Sequence, residues 1–98
     1  MPAPLSPRQR AQLKSRAHSL EPYVQVGQAG LSEAVVAETD RALAAHSLIK
    51  VRLNGADRSA RAQLISELCT RVDAAAVQSV GKVLVLWRPR PDAEPLRA

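Results

Sequence analysis

Tyr23-Val24-Gln25-Val26-Gly27-Gln28-Ala29-Gly30-Leu31-Ser32-Glu33 passes from an alternating, β-branched segment through two glycines into a helix start. The alternation predicts a strand, and Ser32 is a good N-cap for the helix that follows. Gly27 and Gly30 can adopt positive φ and carry no side chain. Backbone N–H groups in such a turn can face a ligand where a helix N-terminus supplies partial positive charge. On spacing alone, a plain strand-to-helix turn is the more common explanation of two glycines three apart.

Upstream, Ser6-Pro7 supplies an N-cap and a proline at the first helical position, and Leu13, Ala17 and Leu20 recur at helical spacing. A first helix over about Ser6 to Ser19 is expected, with Arg8 and Lys14 on its outer side and Arg10 and Arg16 flanking the apolar stripe. Glu21-Pro22 ends it, because proline disfavours the α region for the residue before it.

Downstream, the second helix is expected to run to about His46, with Leu31, Val35, Val36, Thr39, Ala42 and Leu43 inward and Glu33 and Asp40 outward. His46 falls on the apolar side, where a capping or partly buried imidazole fits better than a ligand or a base. Leu48-Ile49-Lys50-Val51-Arg52-Leu53 alternates apolar with basic residues and predicts a strand presenting Lys50 and Arg52. Asn54-Gly55 turns the chain, and Asp57 caps a third helix whose Ala60, Leu64, Ile65, Leu68 and Val72 form the inward stripe. Two further runs, Ala75 to Val80 and Lys82 to Trp87, are joined by Gly81 at the first central position of a type II′ hairpin turn. The second run is apolar on both faces, as a central strand would be. Arg88-Pro89-Arg90-Pro91 halts the sheet, and residues 90–98 are expected to form a flexible tail after a single domain over 1–89.

Ninety-eight residues suit one core, without room for two lobes around a cleft. Fourteen Lys and Arg against nine Asp and Glu give +5, and since Lys14, Lys50 and Lys82 are the only lysines, eleven of those cations are Arg. The planar guanidinium fork suits phosphates, so a polyanion is the expected partner class. Residues 1 to 20 hold Arg8, Arg10, Lys14 and Arg16 with Glu and Asp absent, a one-signed stretch that favours nucleic acid over mere solubility. Cys69 is the lone cysteine, which excludes an intramolecular disulfide and a zinc knuckle, and it reads as a semi-buried inert thiol suited to a reducing cytoplasm. The longest apolar run, Val83 to Trp87, is too short to span a membrane, and the N-terminal residues form no apolar signal core. Two histidines, one thiol and no P-loop or paired carboxylates leave catalysis without a constellation, so no catalytic residue, metal site or cofactor is expected.

The order α-β-α-β-α-β-β describes an α/β chain with three helices on a mixed four-stranded sheet. With Gly27-Gln28-Ala29-Gly30-Leu31-Ser32-Glu33, His46-Ser47-Leu48-Ile49-Lys50-Val51 and Val77-Gln78-Ser79-Val80-Gly81-Lys82-Val83-Leu84-Val85-Leu86-Trp87-Arg88-Pro89, it resembles the YhbY-like CRM domain family over about residues 5 to 89. The resemblance implies a fold similar to the C-terminal domain of translation initiation factor three. It implies a bacterial RNA-binding ribosome assembly factor, associated with precursors of the large ribosomal subunit, with relatives acting in intron splicing in plant organelles.

Carried over by position, the resemblance maps the family's RNA-contacting loop to Gly27, Gln28, Ala29 and Gly30, and its basic strand residues to Lys50 and Lys82. Many relatives place a cation or Asn between the glycines. Gln28 and Ala29 are uncharged, so supplementary charge is expected from Arg8, Arg10, Lys14, Lys50, Arg52 or Lys82. Asp73 stands where a glycine often ends the third helix, which bears only on the cap.

Backbone clamping would make affinity salt-dependent, and with Phe absent and Tyr23 and Trp87 the sole aromatics, a multi-base stacking platform is missing. Ribosomal RNA is the expected partner of a cytoplasmic monomer, with ribosomal proteins as further contacts. A protein-interaction adaptor using the acidic second helix, or a general DNA binder, are the competing readings.

Overall fold

The computed structural model describes residues 5–20, 22–27, 30–54 and 57–89. The expectations for Glu21, Gln28, Ala29, Gly55 and the segment 90–98 fall outside these residues. The described elements are α1 (Pro7–Ala17), β1 (Pro22–Val26), α2 (Glu33–His46), β2 (Leu48–Leu53), α3 (Arg58–Val72), β3 (Ala75–Val80) and β4 (Val83–Trp87). Each helix begins where its cap stands. The Ser6, Ser32 and Asp57 side chains accept from the N–H groups of Gln9, Val35 and Ala60. The Gln9 side chain returns a bond from the Ser6 N–H, closing a capping box.

The sheet order is β1-β2-β4-β3, with β1 parallel to β2 and β4 antiparallel to both of its neighbours. Thus β1, β2 and β3 point the same way, and their C-terminal ends share one edge of the sheet. Both crossovers, β1 to β2 through α2 and β2 to β3 through α3, step in the same direction across the sheet. Crossovers of one hand then put both helices on one face. The buried side chains agree: Val24, Val26, Ile49, Val51, Leu53, Leu84 and Leu86 meet Leu43 of α2 with Leu68 and Val72 of α3 in the larger core.

On the other face, α1 places Leu13 and Ala17 against Leu48, Val77 and Val85, with Leu20 and Trp87 packed at the margin. Between these two layers β4 carries buried Leu84, Val85 and Leu86, which accounts for a strand apolar on both faces. Its hairpin to β3 turns at Gly81, whose φ is +57, while Lys82 has no positive φ, as a type II′ turn requires.

Three expectations need correction. Lys82 is the second central residue of that turn, because Gly81 fills the first, and β4 starts at Val83. His46 is exposed: α2 ends with it, and the chain reverses at Ser47, φ 66, whose N–H bonds the Leu43 carbonyl. α1 is shorter than its periodicity suggests, closing at Ala17 with His18 as its cap.

Two arginines act within the fold. Arg88 follows β4, and its Nη1 donates to the Asp40 carboxylate at 2.6 Å and to the Val72 carbonyl at 2.8 Å, joining the sheet to α2 and to the last turn of α3. Arg10 of α1 reaches β3, where Nη1 donates to the carbonyls of Ala76 (2.8 Å) and Val77 (2.6 Å). In a regular strand successive carbonyls point to opposite sides. The register shift between Ala76 and Gln78 brings two adjacent carbonyls within reach of one guanidinium nitrogen.

Candidate nucleic-acid interface

The common C-terminal edge of β1, β2 and β3 gathers three connections: the loop that starts at Gly27, the link from Asn54 to Asp57, and the Gly81-Lys82 turn. Backbone bonds tie them together. The Asn54 N–H donates to Val26 O at 2.9 Å, and the Leu53 N–H donates to Lys82 O at 2.7 Å. In open α/β sheets the crevice outside the carboxyl ends of the strands is the usual ligand site.

The Gly27 loop is closed by a bond from the Gly30 N–H to the Gly27 carbonyl at 3.0 Å, and Gly30 has φ +78. The N–H of Gly30 therefore serves the turn. A Cβ added at either glycine would meet no atom within 4 Å. Gly30 is set by its backbone conformation, whereas exposed Gly27 lacks positive φ and leaves open space where a polyanion backbone can approach.

Beside this loop, Arg52 is exposed on β2, paired across the sheet with Gln25 and Val83. It shares a face with half-buried Lys50 and with Leu48. α1 covers that face around Leu48, Val77, Val85 and Trp87, where β2 begins and β4 ends, so the half bearing Arg52 stays uncovered. Lys82 is exposed in the hairpin turn at the same edge.

The cations of α1 are placed differently. Arg8 and Lys14 are exposed on a helix that lies over the other half of the sheet face, and the Arg10 guanidinium is bound to the β3 carbonyls. Geometry thus groups Gly27, Gly30, Arg52 and Lys82, with Lys50 on the adjoining strand surface, and leaves Arg8, Arg10 and Lys14 as flanking groups.

Sequence reasoning missed Arg58 and Arg61. Asp57 caps α3 at this same edge, so its first residue, Arg58, and the residue one turn later, Arg61, flank the hairpin. Arg61 Nη1 donates to the Gly81 carbonyl at 3.0 Å. A cap followed at once by two cations three apart was the available signal, but the contact with Gly81 spans 20 residues. The acids nearby have partners of their own: Asp57 caps α3, and Glu33 at the start of α2 pairs with Arg71 at 2.9 Å.

Cys69 is half-buried against the larger core, and desolvation raises its thiol above the ordinary value, which disfavours the thiolate. No group of three or more His, Cys, Asp or Glu among the described residues is placed to hold a metal ion. None of the described helices is long and apolar enough to cross a membrane.

Residues 5–88 match the CRS1/YhbY (CRM) domain. A Haemophilus influenzae RNA-binding protein is 44% identical over 90 residues, covering 92% of this chain and 91% of that protein. A Pseudomonas aeruginosa protein, named as a probable RNA-binding protein, is 44% identical over 87 residues, covering 89% and 84%. The solution structure of a Staphylococcus aureus protein, described as a candidate RNA-binding protein, superposes with a TM-score of 0.80 at 27% identity over 92% of this chain and 94% of that one. A domain match across nearly the whole chain, relatives of similar length and a shared arrangement of three helices on a mixed four-stranded sheet agree: the chain belongs to the CRS1/YhbY (CRM) domain family.

Proposed function

We propose that this chain binds RNA along the carboxyl edge of its sheet and acts as a cytoplasmic ribosome assembly factor on precursors of the large subunit. The reading is carried by the convergence at one edge of the side-chain-free approach at Gly27 with Arg52 and Lys82. Relatives named as RNA-binding proteins support the partner class.

Phosphates would lie against the open space at Gly27 and Gly30, with Gln28 and Ala29 proposed as further contacts from the same loop. Arg52 and Lys82 would neutralise the backbone, with Lys50, Arg8 and Lys14 at the periphery, while Arg10 stays engaged by the β3 carbonyls. Contacts of this kind position the RNA and carry little base specificity. They also tie affinity to salt, with log K falling by about 0.7 per neutralised phosphate per decade of salt on single strands.

The test is a titration of structured ribosomal RNA, single-stranded RNA and duplex DNA at several salt concentrations, with Gly27→Asp beside the parent protein. Structured ribosomal RNA is expected to bind tightest, and Gly27→Asp to weaken it about tenfold while the fold is retained, since the new side chain enters open space. Equal binding to all three nucleic acids, or none, would overturn the assembly role, and an unaffected Gly27→Asp protein would remove the loop from the interface.

A further inference from the structure

Between the first two turns of α3 and the end of the β3–β4 hairpin lies an open groove of about 260 Å³, lined by Arg58, Arg61, Ala62, Ile65, Ser79 and Gly81. Its volume is below the roughly 300–1,000 Å³ of sites for drug-sized ligands, and its walls differ in chemistry. Ile65 is half-buried against the larger core and gives the floor a fixed apolar surface, extended by Ala62. Ser79 is exposed, and its hydroxyl forms no hydrogen bond with any described residue. The bond from Arg61 Nη1 to the Gly81 carbonyl holds one guanidinium plane at the wall, while Arg58 is exposed at the rim.

An apolar floor, a restrained guanidinium plane, an available hydroxyl and a rim cation together match one nucleotide. We propose that this groove takes a single unstacked nucleotide of single-stranded RNA, a subsite that rests on the RNA-binding reading above. The base lies on Ala62 and Ile65 and stacks on the Arg61 guanidinium, the Ser79 hydroxyl meets the base edge, and Arg58 meets the adjoining phosphate. Arginine planes stack on unpaired bases as aromatic rings do. That matters here because the chain has no Phe, and its Trp87 packs in the smaller core beneath α1. A bare phosphate would leave the apolar floor unused.

The probe is a short oligouridylate, compared with an abasic ribose-phosphate oligomer of the same length. The parent protein is expected to bind the oligouridylate about tenfold more tightly than the abasic chain, within the range of one base stacked on a protein surface. Arg61→Lys keeps the charge but loses the plane. It is expected to bring the oligouridylate down toward the abasic affinity, leaving abasic binding and the salt slope unchanged. Ala62→Met fills the floor from an exposed helix position and provides the same test should Arg61→Lys loosen the hairpin.

Equal affinity of the parent protein for the two oligomers would overturn the nucleotide subsite while leaving backbone binding intact. Full base discrimination in both variants would do the same. Displacement of oligouridylate by polyglutamate at equal charge would assign the groove to acidic chains in general and also overturn it. Binding of neither oligomer, together with no binding of structured RNA, would instead remove the RNA reading itself.

Discussion

Arg10 lies in a basic stretch that looks like a nucleic-acid contact, yet its guanidinium is engaged by the Ala76 and Val77 carbonyls. Arg10→Met retains most of the aliphatic stem over the helix surface and removes only the bonding head. Hydrogen bonds involving a charged partner contribute about 1.5–3 kcal/mol each. The two bonds here share one nitrogen on a half-buried side chain, and water can reach the edge-strand carbonyls once the head is gone. The expected loss is therefore nearer that of one such bond, about 2 kcal/mol, which for a domain of this size lowers the melting temperature by about 8–16 °C.

Thermal melting followed by circular dichroism measures this, and RNA titration well below the melting point supplies the second readout. Arg10→Met is expected to bind RNA within about twofold of the parent with an unchanged salt slope, and exposed Lys14→Gln to leave stability within about 0.5 kcal/mol. A melting temperature within about 2 °C of the parent would refute the structural assignment. A salt slope reduced by about 0.7 would show that Arg10 meets a phosphate after all.

Ser47 closes α2 at φ 66 and ψ −42, a conformation that strains a side-chain-bearing residue, so Ser47→Gly is expected to stabilise the fold by about 1 kcal/mol and raise the melting temperature by about 4–8 °C. Urea denaturation checks the sign, and destabilisation would mean that the Ser47 side chain contributes more than its backbone strain costs. Cys69 is predicted to make the fold alkali-sensitive: its folded thiol holds the proton more firmly than the unfolded one, so stability is fully present below the ordinary thiol value and is lost as pH rises through the folded one. Cys69→Ala should flatten that part of the stability-against-pH curve, and an unchanged curve would assign the loss to another group.

Local signals carried the elements well. The capping serines and Asp57, the alternation of Leu48 to Leu53 and the apolar run of β4 each mark where an element begins or which layers it serves. Gly81 marks its turn because glycine adopts the required φ without strain. The insertion of β4 between β2 and β3 depends on long-range pairing that no short window contains.

The candidate site was legible to the same depth. The Gly27-to-Gly30 turn and Arg52 read directly from spacing and alternation. Arg10 and Arg61 did not, because their partners lie 66 and 67, and 20, residues away, and a basic residue in a basic segment looks the same whether it faces solvent or a carbonyl. His46 misled because periodicity counts a helix's last residue on a face that the chain has already begun to leave.

The two hydrophobic layers are unequal, and that inequality sets how the molecule opens. α1 is held by Leu13, Ala17, a few marginal apolar contacts and the Arg10 bonds to β3, whereas α2 and α3 share the larger cluster with buried residues of β1, β2 and β4. Loss of α1 would expose Leu48, Val77 and Val85 while Ile49, Val51, Leu84 and Leu86 stayed covered. Amide protons of α1 should therefore exchange by a sub-global opening ahead of those of β2 and β4. The carboxyl-edge turns are anchored by β1, β2 and the hairpin, so the surface around Gly27, Arg52 and Lys82 would outlast that opening.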